Sequence, residues 1–171
     1  MHALNFPVAV PPPIRSIFAV DDVEGDLLLL EKLLEQPYLP YPCRLFTSGE
    51  KVMDALLEVL RGAPPPLVCF IDVMMAGMSG FDVLRWIRCQ DAFNGVPVIM
   101  LSSSDDPQHM HEACGVGAQC YVRKFPSGAE LRNLIFEAQR YTVDRAAPPA
   151  FRLRCNLLLK LESDSPRAAM A

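Results

Sequence analysis

The chain has 171 residues, about half of them apolar and a fifth charged, which suits one compact domain with an appendage and excludes a second unit of ordinary enzyme size. A formal net charge of -4 and a pI near 5.3 give no general attraction to nucleic acid or to an anionic membrane. No apolar run approaches the roughly 18 residues of a membrane span, and the opening residues lack the basic start and apolar stretch of a signal peptide; the expectation is a cytoplasmic protein without nucleic-acid or membrane partners.

Residues 1–13 carry four prolines and no strand or helix period, so they read as an extended leader. The folded part is expected from Ile14. Apolar runs over Ile14 to Val20, Leu67 to Ile71, Val96 to Leu101 and Gln119 to Val122 have the length of buried strands, with a weaker one around Cys43 to Phe46. Between them lie helix signals. A leucine-rich stripe follows Asp26, Thr47 with Glu50 has the form of a capping box, and Ser79 with Asp82, Asp106 with Pro107 and Ser127 with Glu130 each mark a helix start. The six cysteines stand singly and never as CxxC, which favours reduced, packed thiols. His109, His111 and Cys114 share one helical stretch, but this is more simply a surface helix than a metal site.

Five strands alternating with five helices imply an α/β fold, a flavodoxin-like (βα)5 doubly wound parallel sheet of order 2-1-3-4-5, with a C-terminal extension. Residues 14–142 form this domain, and 143–171 form a connector and arm. In such a sheet ligands bind beyond the carboxyl ends of the strands. The polar residues met there are Asp21, Asp22, Asp72, Ser102 and Lys124. Singly each has a bland reading as a cap, a turn residue or a solvated charge, but together they occupy one edge of the sheet. Three close carboxylates repel unless a cation lies among them, and hard oxygen ligands suit Mg²⁺. An ionised Asp can attack phosphorus while a metal, an ammonium and a hydroxyl neutralise the phosphoryl oxygens.

With these residues in place the sequence resembles the receiver domain of two-component response regulators. The resemblance spans about residues 14–142 and rests on Phe-Ala-Val-Asp21-Asp22, Phe-Ile-Asp72-Val-Met-Met, Ile-Met-Leu-Ser102, the loop residues Met75, Met78 and Gly80, and Tyr121-Val-Arg-Lys124. It implies Asp72 as phosphoacceptor, Asp22 and Asp72 as direct Mg²⁺ ligands with the backbone carbonyl of Met74, and Asp21 as a ligand through water. Lys124 and Ser102 would grip the phosphoryl oxygens, and Ser102 with Tyr121 would form the switch. Two positions depart from the family. Ala76 stands where proline is usual, and Phe125 separates Lys124 from Pro126. A cis bond before a residue other than proline costs about 3 to 4 kcal/mol, so Lys124–Phe125 is expected to be trans unless the site enforces otherwise.

Beyond Tyr141 a Pro-Pro connector leads to Phe151, Leu153, Cys155, Leu157, Leu159 and Leu161 at alternate positions. This is a strand period, with a helical face through Leu157, Leu158 and Leu161 as its rival. An amphipathic strand needs a partner for its edge and its apolar face, so residues 151–161 suggest an arm that builds a homodimer. Short receivers with such arms resemble those paired with bacteriophytochrome or other sensor histidine kinases, and output is expected through protein contacts. The rival functions are a pseudo-receiver that never carries phosphate and a phosphatase of the haloacid dehalogenase type. The second needs an Asp two residues after the nucleophile, where this chain has Met74.

Overall fold

The computed structural model describes residues 14–35, 39–104 and 106–143. The leader and the arm at 151–161 lie outside the described residues. Within them the chain runs β1 (Ile17–Val20), α1 (Glu24–Leu34), β2 (Cys43–Phe46), α2 (Gly49–Leu60), β3 (Val68–Asp72), α3 (Gly80–Arg88), a short 3-10 turn (Asp91–Phe93), β4 (Val98–Ser102), α4 (Pro107–Val116), β5 (Cys120–Arg123) and α5 (Gly128–Val143). The strands form one sheet in the order β2-β1-β3-β4-β5, every neighbouring pair parallel. This is the expected doubly wound fold.

Alternation along each strand divides the core in two. Phe18, Val20, Cys69, Ile71, Val98, Met100 and Tyr121 pack with residues of α2, α3 and α4 on one face. Ile17, Ala19, Val68, Phe70, Ile99, Leu101 and Cys120 pack with α1 and α5 on the other. Because both faces are covered, β1, β3 and β4 are buried at every position, which is why they read as continuous apolar runs rather than as alternating ones.

The helix starts follow local chemistry. Ser79 and Asp82 form a complete capping box at α3, and Asp106 caps α4 with Pro107 in its first turn. At α5 the Ser127 hydroxyl accepts from Glu130 N–H while Glu130 accepts from Ser127 N–H. The expected Thr47 and Glu50 box is corrected. Ser48 is the cap of α2, accepting from Lys51 N–H, and Glu50 accepts from Met78 N–H at 3.2 Å in the loop after β3. The helix that carries the leucine-rich stripe, α1, begins at Glu24 behind a Val23 whose side chain supplies no cap; there Asp21 accepts from Val23 N–H at 3.0 Å.

Candidate functional site at the carboxyl edge of the sheet

Parallel strands in this order bring the ends of β1, β3, β4 and β5 to one edge. Asp21 and Asp22 follow β1, Asp72 and Ser102 end β3 and β4, and Lys124 follows β5. A carboxylate oxygen from each of Asp21, Asp22 and Asp72 lies within 4.8 Å of the others. Asp21, Asp72 and Ser102 are almost fully buried, whereas Asp22 is exposed. The structure thus brings together the polar residues picked out in the sequence.

The centre of the group is the Lys124 ammonium. It lies 2.6 Å from Asp21 Oδ2, 2.9 Å from Asp72 Oδ1 and 3.0 Å from Asp26 Oδ2. An ammonium has three N–H donors, so this lysine is fully subscribed. Its other end is also held, since its backbone N–H donates to Ser102 O at 2.7 Å. The Lys124–Phe125 peptide bond is cis, which corrects the trans expectation at the residue where the site grips both backbone and side chain.

Burial sets the electrostatics. It pushes the Asp72 carboxyl up to about 6, against the pull of Lys124 and with added repulsion from Asp21 and Asp22. Asp21 is raised for the same first reason, although Lys124 and the Val23 N–H oppose it. Burial alone would lower the lysine, but its hydrogen bonds to Asp21, Asp72 and Asp26 outweigh that and hold it above the usual range. The clustered carboxylates of Asp21, Asp22 and Asp72 form an all-oxygen donor set with more negative charge than one lysine balances. Such a set fits a hard divalent cation of the Mg²⁺ kind.

Two contacts were not visible in the sequence. Asp26, in the first turn of α1, reaches Lys124 across 98 residues of chain; the only signal was an acidic residue at the start of the helix leaving the acidic strand end. Ala76, at the position where proline is usual in receivers, donates its N–H to Asp22 Oδ2 at 2.8 Å, a bond that proline cannot make. Tyr121, on the edge strand β5, is fully buried, and its hydroxyl donates to Ser104 O at 3.3 Å. Ser104 N–H in turn donates to Ser102 Oγ at 3.0 Å, so the two proposed switch residues meet on one intervening residue. Met74 is exposed.

The family model described as the response regulator receiver domain matches residues 17–136, which takes in every element of this sheet. The chain belongs to that family. Among the relatives of this receiver, RpfC of Xanthomonas campestris is 27% identical over 139 residues, covering 79% of this chain and 18% of its own. The two-component response regulator ARR8 of Arabidopsis thaliana is 28% identical over 69% of this chain and 58% of its own. This receiver therefore spans less than two thirds of either relative. Among solved structures, the bacteriophytochrome response regulator AtBRR is 26% identical with a TM-score of 0.63, covering 77% of this chain and 94% of that one. The CheY-like receiver from Methanospirillum hungatei JF-1, at 17% identity and a TM-score of 0.65 over 77% of this chain and 98% of its own, shares the fold. No helix among the described residues is long and apolar enough to cross a membrane.

Proposed function

We propose that this receiver accepts a phosphoryl group on Asp72 from a sensor histidine kinase and passes the signal on through protein contacts in the cytoplasm. The observation that carries this reading is the position of Asp72, which ends β3 inside a cluster of carboxylates with its Oδ1 on the Lys124 ammonium. As an ionised carboxylate, Asp72 forms the new oxygen–phosphorus bond while the bond from phosphorus to the donor breaks and the donor keeps its electron pair. Lys124 and the Ser102 hydroxyl are placed to take the charge on the phosphoryl oxygens. Asp21, Asp22 and Asp72, with the Met74 backbone carbonyl, would hold Mg²⁺. When bound, the ion offsets the repulsion of the carboxylates and the negative charge of the group in transfer. Ser102 and Tyr121, joined through Ser104, would carry the change to α4, β5 and α5.

The surroundings support a protein as phosphodonor. Val23, Met74 and Phe125 are exposed apolar side chains within two residues of Asp22, Asp72 and Lys124 respectively, and supply apolar surface beside a charged centre. The likeness to AtBRR supports a bacteriophytochrome-type kinase, and the alternating apolar pattern of residues 151–161 supports a homodimer arm.

Incubation with Mg²⁺ and a small acyl-phosphate donor, followed by mass spectrometry, tests the assignment. One phosphoryl group is expected, on Asp72, and none on Asp72→Asn. Full labelling of that variant, or no labelling of the wild-type chain, overturns it, and the second result points to a pseudo-receiver.

A further inference from the structure

The three donors of Lys124 are all taken by carboxylates, so the ammonium cannot bond to an incoming phosphoryl oxygen without releasing one of them. We propose that Asp26 is that exchangeable partner: a counter-ion that occupies the third donor of Lys124 in the resting protein and yields it when a phosphoryl group docks on Asp72. This inference rests on the phosphoacceptor reading above and adds to it a residue outside the acceptor, metal and switch sets.

Burial separates the three candidates. The side chains of Asp21 and Asp72 are 5% exposed, whereas that of Asp26 is 27% exposed. A carboxylate that leaves a buried ammonium without water to replace it is strongly disfavoured, while a partly exposed one re-solvates where it stands. Asp21 is also fixed by the Val23 N–H on its other oxygen, and its contact with Lys124 is the shortest of the three at 2.6 Å. Asp72 is the acceptor and stays beside the lysine whatever it carries. Asp26 has the longest of the three contacts at 3.0 Å and stands in the first turn of α1, where the helix N-terminus favours its negative charge with or without the lysine.

An exchangeable carboxylate competes with the phosphoryl group, so its removal must tighten binding. Beryllofluoride, a phosphoryl mimic, is titrated into the full chain in saturating Mg²⁺ and followed by ¹⁹F NMR. Asp26→Asn is expected to bind it about three- to fivefold more tightly than wild type, the scale of one partly exposed ion pair. Asp26→Glu, which keeps the anion, is expected to return toward the wild-type affinity. In a crystal structure of the beryllofluoride complex, the Asp26–Lys124 contact opens beyond ion-pair distance while Asp21–Lys124 persists. Unchanged or weaker binding by a folded Asp26→Asn, or an intact Asp26–Lys124 contact in the complex, overturns the proposal and leaves the phosphoacceptor reading standing. No binding by the wild-type chain overturns both.

Discussion

Asp22 differs from the other two carboxylates of its cluster in being exposed and tied to a loop amide. The Ala76 N–H occupies one of its oxygens and limits its rotation, and the same arrangement keeps a ligand atom of Asp22 within 4.8 Å of those from Asp21 and Asp72. Loss of this carboxylate would therefore be felt mainly by a cation held in the cluster. Asp22→Ala is expected to weaken Mg²⁺ binding about tenfold or more by calorimetry with little change in fold. A second expectation concerns thiols, which react as thiolates. Burial pushes Cys43 up to about 12, helped by Glu31 and Glu35, and pushes the fully buried Cys69 to about 12. A raised pKa means that the reactive form appears only well above neutral pH. Between pH 7 and 9, iodoacetamide should modify exposed Cys89 while Cys43 and Cys69 remain unlabelled, as read by peptide mass mapping.

Among the elements, β3 and α3 meet more closely than side chains allow. A Cβ at Gly80 would stand 2.0 Å from Asp72 O and 2.9 Å from its carbonyl carbon. The helix start is held there by Gly80 N–H donating to Val73 O at 3.2 Å and by the Ser79 and Asp82 box. Neither backbone can yield without moving Asp72. Gly80→Ala is expected to cost about 1 to 3 kcal/mol in denaturant unfolding and to lower phosphoryl labelling of Asp72 in the population that still folds. Equal stability of the variant would mean that α3 can shift without disturbing β3. Ser79 and Asp82 announce the α3 cap in four residues, whereas the α2 cap sits one residue from where Thr47 suggested, and the Glu50 carboxylate bonds a loop amide, Met78 N–H, that local sequence does not reveal.

For the whole molecule, the sheet and its two layers of helices account for the described residues, and the proposed arm at 151–161 lies outside them. If the proposed arm pairs with a second copy, the six apolar side chains at alternate positions from Phe151 to Leu161 would contribute about 1.5 to 3 kcal/mol for each large one fully covered. A symmetric exchange of arms would cover them and pair their edges. Truncation after Ala147 is expected to leave a folded receiver that still takes phosphate on Asp72 and scatters light as a monomer, while the full chain scatters as a dimer. A truncated chain that stays dimeric would move the interface to the α4, β5 and α5 face.

The order of strands and helices, and with it the set of residues at one edge, follows from local pattern along the chain. Buried parallel strands are continuous apolar runs, and right-handed crossovers leave their carboxyl ends together, so Asp21, Asp22, Asp72, Ser102 and Lys124 could be gathered before any coordinate was known. Tertiary structure alone decided which charges touch. Asp26 meets Lys124 across 98 residues, and Ala76 meets Asp22 across 54. The cis bond after Lys124 and the full burial of Tyr121 on an edge strand were decided there too. The physical reason is that local pattern records only which face a residue prefers, while the pairing of charges depends on loop paths and side-chain reach between segments distant in the chain.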